Sequence, residues 1–113
     1  MSVHFETATI IGVGLLGGSL GLALKERKLA DRVRGVGRRQ ESLDKAVAVG
    51  AVDEVSLDAR TACEGADLVV VCTPAAMVTS TLDMIRPVCG PDCVVTDVAS
   101  TKAEICDHAR RTW

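Results

Sequence analysis

The residues best suited to chemistry in this sequence form a glycine-rich stretch near the N-terminus. Gly12-Val13-Gly14-Leu15-Leu16-Gly17 matches the spacing G-x-G-x-x-G. It closes an apolar run over residues 8–13 and opens a stretch with helical spacing of apolar residues, which is the strand–turn–helix context of a phosphate site. We expect Gly12 to permit the tight bend, Gly14 to let the backbone approach a pyrophosphate, and Gly17 to allow close helix packing. The free N–H groups at the start of that helix would attract the phosphates of a dinucleotide.

A pair of arginines stands about twenty residues further on, where dinucleotide-binding domains select their cofactor. Domains that prefer NAD normally carry Asp or Glu at the end of the second strand, to bind the ribose 2′-OH. Here Gly37 occupies that position, and Arg38 and Arg39 follow it. Because an arginine can hold a 2′-phosphate through forked hydrogen bonds, we predict that NADP is preferred over NAD, with Arg38 at the phosphate and Arg39 against adenine. The alternative is that both arginines are surface charges balanced by the acidic residues of the next helix.

The thiols and imidazoles form no recognisable metal or catalytic motif. Five cysteines are present, and their spacing lacks the paired C-x-x-C hooks of a zinc ribbon. We interpret them as free thiols in a reducing cytoplasm and predict no metal site. His4 precedes the first strand and His108 lies in a polar stretch, so both are expected to be solvated. The cysteines are Cys63, Cys72, Cys89, Cys93 and Cys106.

Composition excludes several classes of protein. The chain has 113 residues and a formal net charge of -2, which indicates one domain without the basic excess of a nucleic-acid binder. Hydrophobic residues make up 48% of the chain, enough for a packed core, whereas aromatic residues make up 2% and provide no base-stacking surface. Because no apolar run reaches about 18 residues and no signal peptide is visible, we expect neither a membrane span nor secretion.

Strands and helices are predicted to alternate along the chain. Five apolar runs predict strands that are buried on both faces, as in a parallel sheet. Right-handed crossovers through the intervening helices favour a doubly wound α/β sheet of Rossmann type in the order 3-2-1-4-5, with the fifth strand at an open edge. The predicted strands are residues 8–13, 32–37, a short strand near Val55, 68–72 and 93–97. The predicted helices follow the glycine turn, lie before Gly50, within 58–65 and between Thr73 and Pro87, and begin again at Thr101.

Four stretches together resemble the prephenate and arogenate dehydrogenase family. They are GVGLLGGSL at 12–20, GAVD at 50–53, CTP at 72–74 and TDVASTK at 96–102. The resemblance extends from about residue 8 to residue 105. It implies oxidation of a cyclohexadienol by a nicotinamide cofactor with loss of carbon dioxide, in tyrosine biosynthesis. It also implies that Cys72, Thr73 and Pro74 contact the cofactor and that Ser100 orients a catalytic histidine.

The resemblance also limits what residues 1–113 are expected to do. Neither His4 nor His108 matches the family's catalytic histidine, which belongs to an S-H-P-M-A-G-like segment, and the family's helical substrate and dimerisation domain is not recognisable. We therefore interpret the chain as an incomplete dinucleotide-binding domain, inactive alone, of a cytoplasmic homodimeric enzyme with a small-molecule substrate. Two alternatives stay open: the cofactor domain of a hydroxy-acid or pyrroline-carboxylate dehydrogenase, and a non-catalytic nucleotide-sensing module. The predicted cofactor-binding residues are Gly12, Gly14, Leu15, Leu16, Gly17, Gly37, Arg38, Arg39, Cys72, Thr73 and Pro74.

Overall fold

Five strands form one parallel sheet in the order β3-β2-β1-β4-β5. The computed structural model describes residues 4–12, 15–73, 75–90 and 93–97. It confirms the predicted fold class and strand order. The strands are β1 (Phe5–Ile11), β2 (Ala30–Val36), β3 (Glu54–Ser56), β4 (Leu68–Val71) and β5 (Val94–Asp97). The helices are α1 (Leu15–Glu26), α2 (Gln40–Ala48), α3 (Ala59–Cys63) and α4 (Ala75–Ile85), and a 3₁₀ turn (Arg86–Val88) follows α4.

The predicted boundaries are wrong by one to three residues at four strands. β1 begins at Phe5, not Ala8, and so includes Thr7, which is buried despite its polar side chain. The hydroxyl of Thr9 donates to the Ala62 carbonyl at 2.6 Å, which satisfies it inside the core. β2 is displaced towards the N-terminus, while β4 and β5 are each one residue shorter than predicted. The predicted helix from Thr101 lies outside the described residues.

The sheet separates two apolar clusters. Ile10, Val33 and Leu43 are fully buried on the face covered by α1 and α2. Val69 and Val78 are fully buried on the face covered by α3 and α4. Successive residues of a strand point to opposite faces, so the central strands must be apolar throughout when helices cover both sides. Within the described residues, no helix has the length and apolar character that a membrane span needs.

Helix α1 approaches the loop before β3 very closely at Gly21. A side chain at this position would clash with the carbonyl oxygen of Ala51. The close packing predicted for Gly17 is thus observed one turn later, and the side-chain position of Gly17 is not described. Gly50 has a φ of 80° and follows Val49, the C-cap of α2, which confirms Gly50 as the predicted helix stop.

Two aspartates fix the amino-terminal side of the sheet by accepting backbone hydrogen bonds. Asp67, just before β4, accepts from the amides of Glu6 at 2.7 Å and Thr7 at 2.8 Å. Asp53, just before β3, accepts from the Val33 amide at 2.9 Å and pairs with Lys25. Burial acts to raise the pKa of both carboxyl groups, but these hydrogen bonds leave each pKa below its ordinary value.

His4 lies at the same side of the sheet and is exposed, but it is not free. Its ring contacts the Asp31 carboxylate at 3.0 Å and the Lys28 carbonyl at 3.2 Å. The hydrogen bond to Asp31 raises the pKa of His4 above its ordinary value. The imidazole therefore has a structural partner, in addition to the solvent exposure expected from the sequence.

We expect Asp67→Asn to lower the free energy of unfolding by about 1–3 kcal/mol near pH 7, because an amide offers an NH₂ group to one of the two backbone donors. The pKa of Asp67 in the folded state lies below its ordinary value of 3.8. Its stabilising contribution is therefore present at neutral pH and is lost as the pH falls below that value through the folded pKa.

Urea unfolding near pH 7 and near pH 3 measures this effect. The deficit of Asp67→Asn should shrink at the lower pH. Asp44→Asn is the matched control, since the Asp44 carboxylate is exposed and accepts from the Gln40 side chain at 2.9 Å. A deficit that is the same at both pH values would contradict the assignment.

Candidate functional site

A groove of about 580 Å³ lies at the carboxyl ends of β1, β2 and β4. Gly12 follows β1, Gly37 follows β2 and Cys72 follows β4, so three parallel strands end beside the same space. Doubly wound sheets bind ligands in the crevice where the strand order reverses, which here is between β1 and β4. A smaller groove of about 300 Å³ lies around Arg34, but none of the predicted phosphate-binding residues line it.

The structure brings six of the predicted cofactor-binding residues to this groove. Leu15, Leu16 and Gly17 begin α1, but their side-chain positions are not described. Three further predicted positions, Gly14, Pro74 and Ser100, lie outside the described residues. The six that line the groove are Gly12, Gly37, Arg38, Arg39, Cys72 and Thr73.

Gly12 is held by two independent constraints. Its φ of 97° is in the region that residues with side chains rarely adopt. An added Cβ would lie 3.0 Å from the Cys72 carbonyl oxygen and 3.3 Å from the Thr73 amide nitrogen. The Gly12 amide donates to the Val36 carbonyl at 2.7 Å. The start of the glycine turn therefore forms one packed floor with the ends of β2 and β4.

The two arginines project at the β2 end of the groove. Both are exposed, and Arg38 Nη2 contacts Met77 Sδ at 2.7 Å, across the groove on α4. Among the described side chains, no carboxylate forms an ion pair with either arginine, and the balance with Glu41 and Asp44 that the sequence left open is not observed. Arg39 is also the N-cap of α2 and provides no side-chain cap, so positive charge and free N–H groups occur together.

The Asp58 carboxylate lines the groove, and its oxygen atoms already accept hydrogen bonds from the start of α3. It is the N-cap of that helix, accepting from the Arg60 amide at 3.1 Å and from the Thr61 hydroxyl at 2.9 Å. Asp58 was not predicted from the sequence to line the groove. Its capping position, three residues before Thr61, was the available signal.

A methionine-bearing face of α4 forms an apolar wall of the groove, opposite the arginines. Met77, Thr81 and Met84 occupy this face, and Leu57 adds a side chain that is 60% exposed. The sequence predicted a helix between Thr73 and Pro87 but did not indicate that this face lines a groove. Apolar, polarizable side chains of this kind suit a flat aromatic ring such as adenine.

Thr73 and Cys72 bring a hydroxyl and a thiol to the floor of the groove. Thr73 Oγ1 is buried and has no hydrogen-bond partner in the described part of the chain. A buried hydroxyl without a partner is costly, and a ligand that supplies one removes that cost. Burial raises the pKa of the Cys72 thiol, so it stays protonated near neutral pH.

Comparison with known proteins gives a consistent result. Residues 20–113 match the family model described as "Prephenate dehydrogenase, nucleotide-binding domain". The prephenate dehydrogenase of Bacillus subtilis is 30% identical over 108 residues, which are 92% of this chain and 28% of that protein. The chain therefore spans less than a third of the length of this relative.

Solved structures show the same fold. An Aquifex aeolicus prephenate dehydrogenase, in complex with hydroxyphenyl propionate and NAD+, superposes with a TM-score of 0.88 at 24% identity, over 98% of this chain and 39% of that one. A pyrroline-5-carboxylate reductase from Coxiella burnetii has a TM-score of 0.76 at 18% identity, over 89% of this chain and 38% of that one. The fold is thus shared with a different reductase, whereas the sequence match is to prephenate dehydrogenases.

We expect Thr73→Val to leave the unfolding free energy of the ligand-free chain unchanged or to raise it by about 1 kcal/mol, because it removes a buried hydroxyl that lacks a partner. The dissociation constant for a dinucleotide should rise about 5–10-fold, as the loss of one hydrogen bond predicts. Calorimetric titration and urea unfolding measure the two effects.

Thr81→Val is the matched control for this substitution. Thr81 lines the same groove, but its hydroxyl already donates to the Met77 carbonyl at 2.8 Å. This variant should lose slight stability and keep its dinucleotide affinity. Unchanged affinity in Thr73→Val would remove Thr73 from the binding residues.

Proposed function

Because the chain belongs to the prephenate dehydrogenase nucleotide-binding domain family, we propose that it binds the nicotinamide dinucleotide of an enzyme that oxidises prephenate or arogenate. The observation that carries the proposal is the groove at the ends of β1, β2 and β4, with its glycine turn on one side and two arginines on the other. When bound there, the nicotinamide supplies a hydride acceptor. The chain's own residues bind and orient the cofactor.

Each part of the groove suits a different part of a dinucleotide. The positive amino end of α1 and the glycine turn suit the pyrophosphate. The apolar wall of Leu57, Met77 and Met84 suits adenine, and the unpartnered Thr73 hydroxyl offers a hydrogen bond at the floor. The arginines suit the ribose that carries adenine, because they stand at the end of β2.

The finer proposal is that NADP is preferred over NAD. Gly37 offers no carboxylate to the ribose 2′-OH, and the Asp58 carboxylate is committed to capping α3. Arg38 and Arg39 form no ion pairs among the described side chains, so their guanidinium groups are available to donate hydrogen bonds to a phosphate. The Aquifex aeolicus protein was crystallised with NAD+, so this preference would distinguish the present chain from that neighbour.

We expect calorimetric titration to give a dissociation constant for NADP at least about 10-fold lower than for NAD, equivalent to about 1.4 kcal/mol. Arg38→Ala should remove most of this difference and leave NAD affinity nearly unchanged, since only NADP carries the 2′-phosphate. Gly37→Asp should favour NAD instead, and the backbone at Gly37 has no positive φ that would resist the substitution.

Arg27→Ala controls for the loss of one positive charge. Arg27 is exposed and follows the carboxyl end of α1, at the opposite edge of the sheet from the groove. This variant should bind both cofactors as the unmodified chain does. Equal binding of NAD and NADP by the unmodified chain, or equal weakening of both by Arg38→Ala, would overturn the preference.

The activity of the whole protein is proposed from the family. We propose that the whole protein oxidises a cyclohexadienol with loss of carbon dioxide, as a step of tyrosine biosynthesis. We also propose that it is a homodimer in the cytoplasm. Its catalytic histidine and substrate-binding residues are proposed to lie outside the groove described above. Assays of the whole protein with prephenate and with arogenate, each with NADP, distinguish the two substrates.

Ser100 is proposed as a positioning residue for that histidine. In the whole protein we expect Ser100→Ala to lower kcat about 10-fold, as the loss of one orienting hydrogen bond of about 1–2 kcal/mol predicts. Ser100→Thr keeps the hydroxyl and should restore most of the activity. A loss of thermal stability in Ser100→Ala with unchanged kcat would instead make the residue a helix cap.

A further inference from the structure

Three thiols meet at the edge of the sheet that is remote from the cofactor groove. Cys63 ends α3 and is completely buried, Cys89 follows the 3₁₀ turn, and Cys93 immediately precedes β5. Cys89 and Cys93 are half-buried and pack against the same apolar cluster that contains Cys63. The sulfur atoms of Cys63 and Cys93 both lie near the sulfur of Cys89 and influence its pKa, and the Cys93 thiol also contacts the Val94 carbonyl at 3.8 Å. Cys89 is therefore the centre of a connected thiol cluster.

Backbone hydrogen bonds help to position the two half-buried cysteines. The Cys89 amide donates to the Ile85 carbonyl at 3.2 Å, which continues the end of α4. The Cys93 amide donates to the Gly90 carbonyl, also at 3.2 Å, which brings Cys93 back towards Cys89. Among the described residues, no group of three or more Cys, His, Asp or Glu side chains is placed to hold a metal ion. Exchange with a disulfide is a reaction that thiols placed close together can undergo.

The three thiols differ in reactivity and access. Burial raises the pKa of Cys63 to about 12 and that of Cys93 to about 11. Burial raises the pKa of Cys89, and its interactions with Cys93 and Cys63 oppose this rise by favouring the thiolate. Because Cys63 has no exposed surface, a reagent in solution meets Cys89 or Cys93 first.

We propose that Cys89 and Cys93 form a redox-active thiol pair, which low-molecular-weight disulfides convert into an intramolecular disulfide. The Cys89 thiolate attacks one sulfur of the reagent and releases one thiolate, which leaves a mixed disulfide on Cys89. The Cys93 sulfur then attacks Cys89 and releases the second thiolate. Two protein thiols are oxidised, the reagent is reduced to two thiols, and these thiols take up the two protons.

The bond would join the end of α4 to the start of β5. In the described part of the chain, β5 pairs with β4 on one side and has no neighbour on the other. Closing the short loop between Cys89 and Cys93 restricts the unfolded chain and anchors this edge strand. The proposal is independent of the cofactor assignment, because neither thiol lines the groove.

Oxidised glutathione is the probe for the experiment. The reduced chain is incubated with it, and the remaining thiols are alkylated and counted by mass spectrometry. We expect the count to fall from five to three, because one disulfide consumes two of the five thiols. Cleavage on the amino side of Asp places the cysteines on separate peptides, and residues 83–91 should be linked to residues 92–96. The other cysteine peptides are 58–66, 67–82 and 97–106.

Three variants complete the test. Cys93→Ser should stop at a stable mixed disulfide of Cys89 with one glutathionyl group. Cys89→Ser should keep its remaining thiols reduced under the same conditions. Cys72→Ser is the matched control, since Cys72 is also half-buried but lies in the groove, and it should still form the disulfide. Five reduced thiols in the unmodified chain, a link between peptides 58–66 and 83–91, or mixed disulfides alone would overturn the proposal.

Discussion

The pairing of β1 with both β2 and β4 is the constraint on which the rest of the structure depends. Ile11 lies in register with Val36 on one side and with Val71 on the other, so all three strands end at the same level. The turn at Gly12 can then pack directly against Cys72, where any side chain would meet backbone. Because the helices after β1 and β4 cover opposite faces of the sheet, a crevice opens between these strand ends.

The charged side chains at the two ends of the strands have different partners, although the whole chain has a net charge of only -2. At the amino-terminal side, Asp53 and Asp67 are each occupied by backbone amides of a neighbouring strand. At the carboxyl side, the Asp58 carboxylate caps α3 by accepting from the Arg60 amide. Arg38 and Arg39 have no carboxylate partners among the described side chains. The local placement of charge, not the net charge, therefore makes this end of the groove positive.

Sequence patterns predicted the strand order and the helix stop at Gly50, because both follow from periodicity and from glycine's access to positive φ. They failed where contacts between residues distant in sequence decide where a strand begins or which side chains reach the groove. β1 includes the buried Thr7, which the strand predicted over residues 8–13 left out, and the Thr7 amide donates to Asp67 at 2.8 Å. Met77 belongs to the groove because of the direction in which α4 crosses the sheet, and the sequence does not specify that direction.

The edge strand β5 extends from the thiol cluster at its amino end to the border of the cofactor groove at its carboxyl end. Its parallel register pairs Asp97 with Val71, so its carboxyl end lies beside the end of β4, where Cys72 and Thr73 line the groove. Its amino end begins next to Cys93, at the thiol cluster. Among the described strands, β4 alone holds β5 in place through four register pairs, Leu68 with Val94 to Val71 with Asp97. A bond formed at the amino end of β5 would therefore restrain the strand whose other end borders the cofactor groove, since a short strand moves as a unit.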